Sequence, residues 1–373
     1  MSRRANLTIV LLFAVFLGAF FVGNILYPDQ VFSPQENRYL QTAPPLTLSS
    51  LFKGEFTSKA EKYGSDQFIF RDQWISWKAR LELLQGKKSN NGIFLCAEEQ
   101  LLEPFRAPDE AVLDQKLGYI ETLAENVPVP VTLALIPSAA EIYREKLPSG
   151  VINDSQADVL RYIAENSPVE TVDIISSLSS HRDEYIFYRT DHHWTTLGAF
   201  YGYQALAEAL QLTAHDDSFY SPQTVSEEFC GTAYSSSGFF WIEPDEMQIF
   251  LEQPEELSVV RYEKNEPEGV SLYDYTALET KDKYRFFLGG NTPRAVIRTG
   301  NEDRPSLLIL RDSYADSLVP FLLESYSEIH LLDLRYYLNS VSDYVQEQEI
   351  DSVLILYSLP NFCSDTNLAL LTR

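Results

Sequence analysis

Three short apolar runs in the last third of the chain, 306–310, 329–334 and 352–357, are separated by stretches of helical character. Ala315, Leu318 and Leu322 fall on one helical face in the first interval, and a polar helical stretch over 335–348 fills the second. Strands of this length alternating with helices need crossover connections, and right-handed crossovers lay the strands side by side in a parallel sheet. Residues 131–136 have the same composition and stop at Pro137, which predicts a further strand of that sheet. The expected fold class is α/β, a parallel sheet flanked by helices.

Open parallel sheets bind ligands beyond the carboxyl ends of their strands. That rule gathers Ser138 after one strand, Asp312 and Ser313 after another, and Ser358 and Asn361 after a third. Ser313 stands at a predicted helix start, where free backbone N–H groups lie close to its hydroxyl and would stabilise a developing oxyanion. A plain N-cap serine occupies the same kind of position. Asn291, in Leu288-Gly289-Gly290-Asn291, is a candidate second oxyanion donor or simply part of a turn.

The segment Tyr188-Arg189-Thr190-Asp191-His192-His193-Trp194 holds two of the five histidines beside an aspartate. Asp191 and His193 are two apart, which puts both on one side of an extended segment and points His192 the other way. Thr195 or Thr196 caps a following helix whose face carries Phe200, Tyr203, Leu206 and Leu210. In acyl transfer, such a carboxylate fixes one imidazole nitrogen and frees the other to take a proton from serine. A half-buried aromatic patch is the bland alternative. A zinc or manganese site would need further ligands, which no recognisable spacing supplies, so neither metal nor cofactor is expected.

The start of the chain is different in kind. Arg3 and Arg4 precede an uncharged run over 7–26, long enough at about 1.5 Å per residue to cross a hydrocarbon core of roughly 30 Å. The run lacks a small-residue cleavage site, which favours an uncleaved anchor over a signal peptide. The expected layout is a cytoplasmic tail over 1–6, a membrane span over 7–26, a proline-bearing stalk over 27–50 and an extracytoplasmic domain over 51–373. That domain opens with helices over 52–84 that pack on it, and contains a β-rich insertion at about 215–281. A net charge of −25 without a basic cluster excludes nucleic-acid partners. Cys96, Cys230 and Cys363 are too few for a disulfide framework, although one pair could bridge.

Tyr-Arg-Thr-Asp-His-His-Trp, the earlier Asp66-Gln67-Phe68-Ile69-Phe70-Arg71 and the later Leu310-Arg311-Asp312-Ser313-Tyr314-Ala315 together resemble the DHHW family, related to the SGNH-hydrolase-like domains of alginate O-acetyltransferases. The resemblance runs from about Glu36 to the C-terminus. It implies an SGNH-like fold with Asp191 as orienter, His193 as base and Ser313 as nucleophile. Arg311 departs from the pattern, standing where such serine elements usually carry glycine. Arg311, Tyr314, Asn291 and Asn361 are the candidate oxyanion or substrate-binding residues. The implied activity is O-acetylation of a cell-envelope polysaccharide through an acyl-serine, with a membrane-bound O-acyltransferase as acyl donor. An esterase of the same fold and a non-catalytic glycan-binding or envelope-assembly protein are the alternatives.

Overall fold

Alternate residues of a strand face opposite sides of a sheet, and here both sides are buried. Leu307 and Ile309 join one apolar cluster with Trp194, Phe200 and Leu206, while Leu308 and Leu310 join another with Leu117, Ile120 and Val345. Burial on both faces explains why the strands read as continuous apolar runs rather than as alternating ones. Each fully buried leucine contributes about 1.5–3 kcal/mol.

A computed structural model of the chain describes residues 3–215, 219–263 and 266–373. Residues 1–2 of the expected tail, and 216–218 and 264–265 of the expected insertion, lie outside the described residues.

The chain forms two compact units, Asn91–Ala233 with Ile242–Arg373, and Met1–Asn90 with Tyr234–Trp241. The larger unit is built on eight strands: β1 (Val131–Ile136), β2 (Glu170–Val172), β3 (Ser258–Glu263), β4 (Glu266–Val270), β5 (Arg294–Arg298), β6 (Ser306–Arg311), β7 (Glu328–Leu332) and β8 (Ser352–Ser358). Their order across the sheet is β4-β3-β5-β7-β6-β8-β1-β2. From β7 to β2 every pairing is parallel, as the sequence predicts for β7, β6, β8 and β1; β2 adds an edge strand absent from that expectation. From β4 to β7 every pairing is antiparallel.

The β-rich stretch therefore divides. A hairpin of Gln223–Phe229 and Asp245–Ile249 stands apart from the sheet, while β3 and β4 extend its edge. After β6 the chain forms two 3-10 turns, Ser313–Ser317 and Val319–Leu322, in place of the predicted helix, with Pro320 opening the second. The predicted helix over 335–348 shortens to Val341–Glu347.

β6 feeds its neighbour β7 on one side, while β1 feeds β2 on the far side of β8. The connections diverge there, and a crevice opens at the carboxyl ends of β6 and β8.

The smaller unit contains the helix Arg3–Leu26, whose stretch Ala5–Leu26 is long and apolar enough to cross a membrane. A short hairpin, Phe32–Ser33 with Arg38–Tyr39, follows, then helices Leu48–Phe52, Glu55–Asp66 and Arg71–Leu84. Asp66 takes a forked pair of bonds from Arg38, at 2.6 and 3.0 Å, and a third from the Gln41 N–H. The three cysteine thiols are unpaired.

Candidate active site

The Asp-His-His-Trp loop is closed at its base by backbone. Phe187 and Trp194 form an antiparallel bridge, and the Tyr188 N–H donates to the His193 carbonyl at 3.2 Å. At the tip, Asp191 Oδ1 accepts from the His193 N–H at 3.0 Å, a side-chain turn spanning two residues. This turn, rather than an extended segment, aims the Asp191 and His193 side chains the same way, and it brings His192 to that side too instead of the opposite one, with its ring centroid 4.0 Å from that of His193. Thr195 caps the helix Thr196–Ala209 by accepting from the Gly198 N–H. A Cβ on Gly198 would stand 2.2 Å from the Ile186 carbonyl oxygen, so glycine is what lets the helix lie against the loop. Trp194 is fully buried, and its indole N–H reaches the Tyr314 carbonyl and Ser317 Oγ, each at 3.0 Å. That pair of contacts ties the histidine loop to the serine turn.

Asp312, not Ser313, caps the turn after β6. Asp312 Oδ1 accepts from the Tyr314 N–H at 3.0 Å. Its Oδ2 accepts from the Ser358 N–H at 2.9 Å, the Ser358 hydroxyl at 2.8 Å and the Asn361 carboxamide at 2.7 Å. The Ser313 hydroxyl is left free of capping and lies 2.7 Å from His193 Nε2. On the other side of the ring, His193 Nδ1 is 2.5 Å from Asp191 Oδ1. A carboxylate only accepts, so the ring hydrogen sits on Nδ1 and the lone pair of Nε2 receives the serine hydrogen.

The electrostatics favour the same proton arrangement. Burial and the neighbouring His192 push the His193 imidazole down to about 4, against the opposing pull of Asp191. Burial would raise the Asp191 carboxyl, but His192, His193 and the Thr232 N–H together hold it well below the usual carboxylate range. At neutral pH the pair is therefore a neutral imidazole beside a carboxylate, the state a general base needs.

Several residues of this site escaped the sequence. Asp191 Oδ2 accepts from the Thr232 N–H at 2.7 Å and the Thr232 hydroxyl at 3.0 Å. A Cβ on Gly231 would stand 2.1 Å from that same oxygen, so only glycine fits beside the carboxylate. Asp245, fully buried, receives the Thr190 N–H at 2.8 Å and the Thr190 hydroxyl at 2.6 Å, which fixes the residue before Asp191. Tyr284 stacks on the His193 ring, with centroids 3.8 Å apart and planes 10° from parallel. Gly231 and Thr232 fall inside the stretch expected to be a β-rich insertion, and nothing local links them to Asp191.

A cleft of about 580 Å³ adjoins these groups, lined in part by His192, Thr232, Tyr314, Ser138, Ser358 and Asn361. Of the four candidate binding residues, Tyr314 and Asn361 lie there. Arg311 does not offer its charge to the cleft: it is buried, with Nη1 2.5 Å from Asp316 Oδ1 and no partner for Nε or Nη2 among the described residues. Asn291 lies just before β5, where its side-chain oxygen accepts from Arg335, which follows β7, at 3.2 Å. Asp191, His192 and His193 bring one possible metal-ligand atom each within 4.8 Å of one another. The Asp191 oxygens and His193 Nε2 are already engaged by Thr232, His193 and Ser313, which suits proton relay better than metal coordination.

The family model described as "DHHW protein" matches residues 128–332, a span running from β1 through β7 that holds every member of the Asp191–His193–Ser313 line. The chain belongs to the DHHW family. Its fold resembles that of a DHHW family protein from Eubacterium siraeum, at 25% identity and a TM-score of 0.66, over 75% of this chain and 95% of that one. It also resembles Bacillus cereus PatB1 bearing a sulfonyl adduct, at 21% identity and a TM-score of 0.63, over 75% and 98% of the two chains. In sequence, this DHHW protein is 24% identical over 182 residues to the probable alginate O-acetylase AlgJ of Pseudomonas putida, a match covering 46% of this chain. It spans about half the length of that relative, 47%.

Proposed function

We propose that this DHHW protein is a cell-envelope O-acyltransferase that moves an acetyl group through an ester on Ser313 to a hydroxyl of a glycan. The observation that carries this is the continuous hydrogen-bonded line from Asp191 through His193 to Ser313 Oγ, next to a cleft of about 580 Å³. In the first half-reaction Ser313 Oγ attacks the acyl carbonyl while His193 Nε2 takes its proton and passes it to the leaving group. In the second, a glycan hydroxyl gives its proton to His193 as its oxygen attacks the ester, and Ser313 leaves carrying that proton. The Ser313 N–H, first in its turn and without an intrahelical acceptor, supports the oxyanion, and the Asn361 carboxamide, which gives one hydrogen to Asp312, offers its other hydrogen as second donor.

The relative named as a probable alginate O-acetylase supports a polysaccharide as acceptor. The apolar helix with Arg3 and Arg4 ahead of it supports a single-pass anchor with the N-terminus in the cytoplasm. The acyl group then arrives from a membrane-bound O-acyltransferase partner.

The test uses the full chain in detergent with 4-nitrophenyl acetate, with and without a glucan oligosaccharide, and weighs protein and sugar. The expected result is an acetyl group on Ser313, absent from Ser313→Ala and His193→Ala, and its passage to the oligosaccharide. Hydrolysis that sugar never diverts would make the protein an esterase. No acyl-protein at all would leave a glycan-binding protein and refute turnover.

A further inference from the structure

Asp191 has two oxygens, and the second one serves a second imidazole. Thr232 Oγ1 lies 3.0 Å from Asp191 Oδ2 and 2.6 Å from His192 Nδ1. A hydroxyl carries a single hydrogen, and a carboxylate can only accept. The Thr232 hydrogen therefore goes to Asp191, and the Thr232 oxygen accepts from His192. This fixes the His192 tautomer: hydrogen on Nδ1, lone pair on Nε2. Among the described residues Nε2 has no hydrogen-bond partner. The side chain is 38% exposed and lines the cleft.

The His192 ring centroid lies 4.0 Å from that of His193, with the planes 35° apart. Both imidazoles keep their hydrogen on Nδ1 through Asp191, one directly and one through Thr232. Once Ser313 is esterified, both Nε2 atoms become vacant acceptors, on rings whose centroids are 4.0 Å apart. One hydroxyl has one hydrogen and cannot satisfy both, whereas two hydroxyls on neighbouring carbons can.

Resting on the acyl-serine reading above, the geometry points to a vicinal diol as the acceptor, with His192 as the residue that selects it. One hydroxyl of the diol attacks. Its O–H bond breaks toward His193 Nε2, its oxygen bonds to the acyl carbon, and the Ser313 Oγ–acyl bond breaks and collects that proton. The neighbouring hydroxyl donates to His192 Nε2 and is unchanged at the end of the cycle. His192 is thus an acceptor-binding residue, and the preferred sugars are those that present adjacent free hydroxyls.

The experiment loads the full chain with 4-nitrophenyl acetate and compares cyclohexane-1,2-diol, cyclohexane-1,3-diol and cyclohexanol as acceptors, while intact mass follows acetyl-Ser313. The wild type is expected to favour the 1,2-diol by about tenfold per hydroxyl, the effect of one hydrogen bond. In His192→Ala that preference collapses to within about twofold, again the loss of one bond. In His192→Gln it returns in part, because a carboxamide can both donate to Thr232 and accept from a hydroxyl. A merely structural His192 would lower all three acceptors together and leave their ratio alone. Acetyl-Ser313 with a preference that survives His192→Ala, or with no preference in the wild type, overturns this inference and leaves the acyl-serine standing. Absence of acetyl-Ser313 from the wild type overturns both.

Discussion

Gly231 is the position where a single methyl group should do the most damage. A Cβ there would lie 2.1 Å from Asp191 Oδ2, 2.3 Å from its Cβ and 2.5 Å from its Cγ, all atoms of a side chain that is itself buried. Ordinary contact begins at 3.4 Å, so relief requires a movement from 2.1 to 3.4 Å, that is 1.3 Å. The carboxylate cannot move so far and keep both its 2.5 Å bond to His193 and its two bonds from Thr232. A misplacement of about 1 Å costs on the order of a hundredfold in rate, or about 2.7 kcal/mol of barrier. Overpacking adds about 1–3 kcal/mol of lost stability. The assay is the rate constant for labelling Ser313 with phenylmethylsulfonyl fluoride, alongside thermal melting of the same samples. Gly231→Ala should be labelled about a hundred times more slowly than wild type while still melting cooperatively. Labelling within about threefold of wild type in a folded protein would show that Asp191 does not govern the reactivity of the serine, since a real displacement costs far more.

Acid should act through the imidazole in a characteristic window. His193 works when neutral, and it is pushed down to about 4, so labelling should rise with pH through about 4 and be flat by 6.5; a midpoint near 6.5 would contradict the burial. For stability the sign is the same: between about 4 and 6.5 the unfolded chain binds the His193 proton and the folded chain does not, so stability falls as pH falls through that range. Trp194→Phe removes the indole N–H from Tyr314 and Ser317 in a fully buried place, and should cost about 1–3 kcal/mol in urea melts. Burial pushes the Asp316 carboxyl up to about 7 even though Arg311 pulls it down. Arg311→Met removes that pull and should destabilise by about 3 kcal/mol at pH 8, where the buried carboxyl must either stay charged without a partner or take up a proton, and by less at pH 5, where it is protonated with or without Arg311; equal losses at the two pH values would count against the pairing.

What the sequence disclosed and what it hid follow one physical division. Strands buried on both faces leave an unbroken apolar run, which is why residues 131–136 and 306–310 were legible almost to their ends. The antiparallel edge was not, because β3 and β4 carry Arg261, Glu266 and Glu268 and read like any surface hairpin. In the site, Asp191, His193 and Ser313 were legible because a short motif or a strand end marks each of them. Thr232, Gly231, Asp245 and Tyr284 were not, since each meets its partner from about 40 to 90 residues away and no local motif marks it. Ser313 itself was ambiguous between nucleophile and cap. The ambiguity lay one residue off, in Asp312, whose carboxylate does the capping.

The four residues of the family tetrapeptide act in four ways, and their closeness in sequence has a mechanical consequence. Asp191 places one oxygen against His193 and the other, through Thr232, against His192. Trp194 carries no proton for the chemistry, yet it bonds to the backbone of Tyr314, the residue beside the nucleophile. Because the bridge between Phe187 and Trp194 closes the loop at its base, none of the four can shift alone. The Tyr314 carbonyl belongs to the 3-10 turn Ser313–Ser317 and, with two lone pairs, also accepts from the indole. The register of the serine is thus set from the histidine side, which is how two segments 120 residues apart hold a 2.7 Å contact.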